Sequence, residues 1–412
     1  MMRILYDISI QVYIFLVRLA SLRNRKARLW IRGRRSWYPA LTRAIGREEE
    51  VVWFHCSSLG EFEQGRPLME KVRKEYPGYR ILLTFFSPSG YEKRKTWAGA
   101  DYVAYLPADT LFNAWRFVSA LNLKAVFFIK YEFWFHFLHE LHRKRVPVYL
   151  VSGIFRDRQI FFRKYGRWYR GFLRFFTHFF VQNERSAQLL ESVGITAVTV
   201  SGDTRFDRVL EIVGSAGRFA EIAAFAEGKT VLVAGSTWEP DEQLIQEAYR
   251  HFGDRVGWII APHEVTAERI NRISRSFPGA VRFSDLLSGR ESAAGIIIVD
   301  TIGHLSALYR YARIAYIGGG FGRGIHNVLE AAAYGLPVIF GPRYDKFQEA
   351  VDLVDRNSAF PVENAENLIL TIERLLSENE LLISAGKSSE TYVKSRAGAT
   401  EQIVDFAFKN PS

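Results

Sequence analysis

Residues 314–342 read IAYIGGGFGRGIHNVLEAAAYGLPVIFGP, and this stretch decides the fold. Ile314 to Ile317 is a short apolar run. Gly318, Gly319 and Gly320 follow it, then Gly322 and Gly324. A helical pattern starts near Asn327 and runs through Glu330 to Tyr334. Gly335 stops it, and Leu336 to Phe340 reads as the next strand. Strand, glycine turn, helix and strand make one unit of a parallel α/β sheet. Glycines let a backbone approach a ligand closely, and a helix start offers N–H groups and a positive dipole end to phosphate. The spacing is neither GxGxxG with a later acidic residue nor a Walker loop. It therefore predicts a phosphate-bearing donor bound outside the dinucleotide and ATPase schemes.

The same alternation extends in both directions. Upstream, Thr230 to Ala234 is a strand followed by Gly235-Ser236-Thr237-Trp238-Glu239. Trp258 to Ala261 ends in Pro262-His263-Glu264, and Gly295 to Asp300 is a third strand. The front half repeats the scheme at Val51 to His55, Arg80 to Phe85, Asp101 to Leu106, Ala125 to Ile129, Val146 to Val151, Phe179 to Gln182 and Ala197 to Val200. Turn residues follow each run, and the polar clusters fall at the carboxyl ends of strands, where open α/β sheets take their ligands. With 412 residues the chain exceeds one ordinary core. The expectation is two Rossmann-like domains, 50–210 and 211–395, facing a central cleft. Residues 1–49 precede them as a membrane-associated segment, and 396–412 form a terminal helix crossing back to the first domain.

Ile4 to Leu22 is mostly apolar, interrupted by Asp7, Gln11 and Arg18. Arg23, Arg25, Lys26, Arg28, Arg32, Arg34 and Arg35 follow. The basic block comes after the apolar run, opposite to a cleavable signal peptide. A spanning helix, about 20 apolar residues long, and a helix lying in the interface both fit, with the rest of the chain on the cytoplasmic side. Formal net charge is +11, with 32 Phe, 19 Tyr and 9 Trp. Between Ile154 and Phe180 seven basic residues alternate with aromatics, a pattern suited to bases or to lipid head groups. Together with the amino-terminal stretch it favours an anionic membrane over nucleic acid. The single cysteine, Cys56, excludes an internal disulfide and a cysteine-cluster metal site. No metal site has convincing spacing.

Moving a sugar from a nucleotide needs a base for the acceptor hydroxyl, groups that steady the departing phosphate, and exclusion of water. Glu61, on a glycine-preceded turn after a strand, is the candidate base. Ser236, Thr237 and the amides of the glycine turn, including Gly319, Gly320 and Gly324, are candidates for phosphate. Glu330 suits ribose hydroxyls, and His263 and His326 are candidate donors. Asn327 fits either a ligand contact or a helix N-cap.

These residues resemble the bacterial Kdo transferases, the 3-deoxy-D-manno-octulosonic acid transferases of lipopolysaccharide assembly. The resemblance runs through Ser58-Leu59-Gly60-Glu61-Phe62, Phe86-Ser87-Pro88, Glu132-Phe133-Trp134, Ser201-Gly202-Asp203 and Ala234-Gly235-Ser236-Thr237. It closes with Gly318-Gly319-Gly320-Phe321, His326-Asn327 and Leu329-Glu330. It implies a GT-B glycosyltransferase that inverts configuration. CMP-Kdo would be the donor, a lipid A precursor (lipid IVA) the acceptor, with no cofactor beyond the donor. It implies Glu61 as base, the nucleotide around Ser236, Thr237, His263, Asn327 and Glu330, and the acceptor side at Ser58, Gly60, Ser87 and Glu132. It also implies attachment to the cytoplasmic face of the inner membrane. Another GT-B enzyme, using a UDP-sugar for peptidoglycan or glycolipid synthesis, is the alternative.

Overall fold

A computed structural model describes residues 2–289 and 295–409. The chain forms two compact units, Met1–Arg208 with Ala397–Ser412, and Val209–Arg396. In the first unit seven parallel strands are β1 (Glu50–Cys56), β2 (Arg80–Phe85), β3 (Tyr102–Tyr105), β4 (Asn122–Ile129), β5 (Val148–Gly153), β6 (His178–Val181) and β7 (Val198–Val200). Their order across the sheet is β3-β2-β1-β4-β5-β6-β7. The second unit has β8 (Thr230–Thr237), β9 (Val256–Pro262), β10 (Val281–Arg282), β11 (Ile296–Ile298), β12 (Ile314–Ile317), β13 (Val338–Phe340) and β14 (Ala359–Pro361). Their order is β10-β11-β9-β8-β12-β13-β14, again parallel throughout. Each sheet reverses its winding once, between β1 and β4 and between β8 and β12. These switch points are where doubly wound sheets open a crevice beyond their strands' carboxyl ends.

The strands form because both sheet faces are covered, so near-continuous apolar runs are stable there. Neighbours alternate between faces. Trp53, Phe128, Leu150 and Phe179 enter one core layer of the first unit, and Phe54, Phe127, Tyr149 and Phe180 the other. Phe54 and Phe127 stack at 4.9 Å; burying each phenyl contributes about 1.5–3 kcal/mol. The terminal helix Ala399–Phe408 belongs to this unit and places Ile403, Val404 and Ala407 in the second layer. Its start is fixed by Asp207, whose carboxylate accepts the N–H groups of Gly398 and Thr400.

Before β1 come helices α1 (Met2–Ala20), α2 (Arg25–Gly33) and α3 (Trp37–Ala44). After β1, β2 and β3 come α4 (Leu59–Glu75), α5 (Pro88–Arg94) and α6 (Leu111–Ser119). Among the described residues no helix is long and apolar enough to cross a membrane, which removes the spanning alternative for α1. The polar interruptions explain how α1 sits instead. The Tyr6 hydroxyl donates to Asp109 at 2.5 Å, and Asp7 pairs with His136 at 2.6 Å. Its opposite face leaves Ile4, Leu5, Ile8, Val12, Phe15, Leu16 and Leu19 at least half exposed, at helical spacing.

The basic aromatic segment is divided between core and surface. Phe155, Phe161, Phe172 and Phe176 are core residues, and Phe135, Trp168 and Phe172 pack ring against ring. Arg156, Arg158, Arg163, Lys164, Arg167 and Arg174 are exposed. Most of the rings are buried or half-buried, Tyr165 is 75% exposed, and the cations other than half-buried Arg170 point outward. The segment presents a basic surface over packed aromatic rings.

Candidate active site at two switch points

In the first unit α4 begins one residue earlier than Gly60, so Gly60 is helical and does not form the predicted turn. Ser58 is the N-cap, and Glu61 is the third helical residue. Its Oε2 accepts the Ser58 N–H at 2.9 Å, one half of a capping box. The other end of this turn is tied to β2's loop, where the Ser87 N–H donates to the Ser57 carbonyl at 2.8 Å. The Ser87 side chain lies 2.7 Å from Ser89 Oγ. Further along α4, Gln64 Nε2 donates to Asp203, and the Thr204 hydroxyl donates to the Gln64 carbonyl. The helix start is therefore held from three sides.

Glu61 is half-buried. Burial, reinforced by the charge of Glu132, raises its carboxyl from the ordinary range to about 7, against the opposing pull of the Ser58 and Ser57 amides and Lys130. Glu132, expected on the acceptor side, is held by internal contacts. It is buried, accepts the Trp134 indole N–H at 2.5 Å, and lies 3.1 Å from His55 Nε2. His55 reaches Thr84 with its other ring nitrogen at 2.8 Å. His55, a polar residue inside an apolar strand run, was the signal for this chain of contacts, and the sequence reading passed over it. Lys130 follows β4 in a left-handed backbone conformation, φ 72°, as do Ser152 of β5 and Ser236 of β8. Such strain gathers at functional turns.

The second unit places Ser236 and Thr237 at the carboxyl end of β8, beside the glycine turn after β12. The turn's glycines are explained by packing. A Cβ on Gly318 would lie 2.4 Å from the Ser236 carbonyl oxygen, and one on Gly320 would lie 2.6 Å from the Gly341 backbone. Several amides expected to meet phosphate are engaged internally. The Gly319 N–H donates to Asp241 Oδ2, those of Gly322 and Gly324 to the Gly319 carbonyl, and that of Gly318 to Gly235. Thr237 is likewise turned inward: its buried hydroxyl donates to Glu242 at 2.9 Å. The helix behind the turn is Leu329–Ala333, two residues later than predicted and five long. Asn327 braces its start, accepting the Leu329 N–H and donating to Glu330 Oε1 at 3.0 Å.

What this switch point presents is aromatic. The Trp238 and His263 rings stack at 4.8 Å, and the His263 and His326 rings at 4.2 Å. The Trp238 indole N–H donates to His326 Nε2 at 2.9 Å, so that nitrogen is the unprotonated one. Burial and neighbouring His263 lower His326 to about 4, which keeps it neutral. Trp238, His326, Gly319, Phe321 and Arg323 line a cavity of about 550 Å³. Trp238 and Asp241 are the residues the sequence reading missed here. Asp241, three residues after Trp238 at a helix start, carried the signal of a capping residue. Among the described residues no group of three or more His, Cys, Asp or Glu is placed to hold a metal ion.

Two parallel Rossmann-like units, each with polar groups at its switch point, define the class: the GT-B fold. Solved structures share this architecture. UDP-GlcNAc 2-epimerase from Neisseria meningitidis aligns with a TM-score of 0.60 at 16% identity over 88% of this chain and 100% of its own. A glycosyltransferase from Rickettsia africae aligns at 0.57 and 13% over 89% and 100%. At these identities the likeness is one of fold. Sequence narrows it: residues 30–208 match the family described as 3-deoxy-D-manno-octulosonic-acid transferase (kdotransferase). The chain is thus similar to the bacterial Kdo transferases, the family match falling within its first unit. The 3-deoxy-D-manno-octulosonic acid transferase of Aquifex aeolicus is 26% identical over 350 residues, 82% of this chain and 90% of that protein. A bifunctional glycosyltransferase/methyltransferase of Fusobacterium nucleatum is 29% identical over 348 residues, 81% of this chain but 53% of its own length. The chain therefore spans about half of that relative.

Proposed function

We propose that this chain transfers Kdo from CMP-Kdo to a lipid A precursor, lipid IVA, in lipopolysaccharide synthesis. The transfer inverts configuration at the Kdo carbon. The observation that carries the reading is the Glu61 carboxyl, half-buried at the carboxyl end of β1 and raised to about 7. A base whose affinity for protons lies near working pH is half in its active form and still strong enough to take a hydroxyl proton. In the step proposed, Glu61 accepts the proton of the acceptor hydroxyl as that oxygen bonds to the anomeric carbon of Kdo. The bond from that carbon to the CMP phosphate oxygen breaks, and CMP leaves with the electron pair. Ser236, His263, His326 and Asn327 attend the nucleotide, and Glu330 its ribose. Because most glycine-turn amides are engaged internally, neutral imidazoles and the Trp238 ring take a larger share of donor binding in this reading. The acceptor is a membrane lipid, and the exposed stripe of α1 with the basic surfaces of the first unit supports attachment to the cytoplasmic face of the inner membrane.

Incubating purified chain with CMP-Kdo and lipid IVA, and resolving products by mass, tests the reading. Added Kdo masses with CMP-Kdo, and no added sugar with UDP-sugars, are expected. Transfer from a UDP-sugar with none from CMP-Kdo overturns it.

A further inference from the structure

Between α1, α2, α3 and the loop after β3 lies a second cavity, of about 470 Å³. Its polar lining is Arg18, Arg34, Arg35 and Asn113, and Trp30 and Trp37 form apolar walls. Among the described residues none of the three arginines forms a salt bridge. Asp109, next in sequence to the lining residue Ala108, already accepts from the Tyr6 hydroxyl and the N–H groups of His136 and Phe137.

Arg34 shows what the cavity lacks. Its guanidinium lies 3.8 Å from the Trp30 ring centroid and 4.9 Å from that of Tyr105. It donates only to backbone carbonyls, those of Trp30 at 3.2 Å and Phe86 at 2.8 Å. Its Nε and the Trp30 indole nitrogen are buried without a hydrogen-bond partner. Burial lowers it to about 9. A cation held out of water without a carboxylate is costly, and an anion with several acceptor oxygens offsets that cost best. The surroundings say what carries the anion. α1 lines the cavity with Ile14 and Arg18, each next in sequence to an exposed stripe residue, Phe15 and Leu19, and on α6 Leu111, Phe112 and Trp115 are about half exposed on either side of the lining residue Asn113. From Arg34 a chain of contacts leads inward: Phe86, whose carbonyl accepts from Arg34, stacks on Trp134 at 4.7 Å, and the Trp134 indole N–H donates to Glu132, whose charge acts on Glu61.

We infer that the Arg18–Arg34–Arg35 cavity binds the phosphate monoester of a membrane lipid whose chains lie along the exposed apolar residues of α1 and α6. The inference deepens the proposed function by giving the lipid side of the reaction an anchoring site, and it rests on that reading for the lipid.

The test uses the full chain without donor. Dihexanoyl phosphatidic acid, kept below its micelle concentration, is titrated by calorimetry, with inorganic phosphate as a parallel arm. One-to-one binding at least about tenfold tighter than inorganic phosphate is expected, the acyl chains contributing the difference. Arg18→Gln/Arg35→Gln alters two exposed residues and leaves the packed Arg34 in place, so the fold is kept. It should weaken binding by at least about tenfold, two charge-assisted contacts being lost. Arg23→Gln/Arg25→Gln removes the same charge outside the cavity and should change it less than about threefold. Equal losses in the two double variants, or binding of free phosphate as tight as that of the lipid, overturn the inference. Stoichiometric lipid binding without any Kdo transfer would instead count against the functional reading alone.

Discussion

Each unit places a carboxylate at the same spot, the third residue of the helix after its first strand, accepting the N–H of the residue three before it. In the first unit this is Glu61 on Ser58; in the second it is Asp241 on Trp238. Their fates differ through the neighbouring strand. β12 brings the Tyr316 hydroxyl and the Gly319 N–H to Asp241, at 2.8 and 2.9 Å, and the carboxylate is closed off from solvent. β4 brings Lys130 and Glu132 toward Glu61, and Glu61 stays half-exposed with its proton affinity raised. One position thus yields a fastening in one unit and, in the reaction proposed above, a proton acceptor in the other. The donors supplied by the adjacent strand, rather than the carboxylate's own place, decide which.

The largest expected effect breaks the comparison directly. Glu61→Gln keeps the Ser58 contact, so fold and CMP-Kdo affinity by calorimetry should match the parent. Transfer should fall by about 10²–10⁴-fold, about 3–5 kcal/mol in the barrier. Near-normal turnover would make Glu61 a capping residue like its counterpart. Asp241→Ala should do the reverse. It strands three donors, so unfolding in denaturant should show a loss of about 3 kcal/mol, with looser donor binding following from a loosened glycine turn. A loss below about 1 kcal/mol would mean that Asp241 does not hold the turn.

The sheets were legible because parallel strands buried on both faces must be apolar throughout, and Val51 to His55 or Ile314 to Ile317 have no other reading. β10 and β14 were not, since two or three residues carry no period, and β14 ends in a proline that suits only an edge. Glu61 and Ser236 stood out by lying at the ends of strand runs, and His326 by lying at a helix start. The packing of the glycine turn was not legible, because glycine allows a backbone to approach anything closely, and here the approaching partner is other backbone. The aromatic segment was only partly legible for a related reason: composition reports rings and cations but not which of them faces the core. Asp241 and Glu132 act through partners supplied from distant strands, and no local pattern announces such a partner.

A finer test concerns the like charge beside Glu61. Glu132→Gln retains an acceptor for Trp134 and removes a charge that raises Glu61. In the parent, kcat/KM should climb about tenfold per pH unit below about 7 and level off above it. In the variant the bend should move to lower pH, giving up to about tenfold faster transfer at pH 6 relative to each enzyme's plateau. The same shift has a consequence for folding. Between the ordinary carboxylate range and about 7 the native Glu61 keeps a proton that the unfolded chain has released, so its contribution to stability falls as pH rises through that window. Glu132→Gln should flatten this decline. An unmoved bend would show that burial alone sets Glu61.

The smallest effect belongs to the second unit, where a titrating group is held neutral instead of being held protonated. His326 sits at about 4 through burial first and the stacked His263 second. The unfolded chain takes up a proton at this residue near the ordinary histidine range, while the native one refuses it until about 4. Stability is therefore lost as pH falls through that window, and fully present above it. His263→Asn removes the secondary cause and leaves burial, so the imidazole resonances of His326 should titrate at a higher pH, by less than about one unit. Urea unfolding at pH 5 should show a correspondingly milder acid penalty, under about 1 kcal/mol, because the ring is only half-buried and solvent screens it. If His326 does not move, the His263 ring acts on it neither as a charge nor as a shield, and its other packing neighbours alone hold it neutral. The two switch points would then differ in kind, with a neighbouring charge tuning the carboxylate of one and packing alone tuning the imidazole of the other.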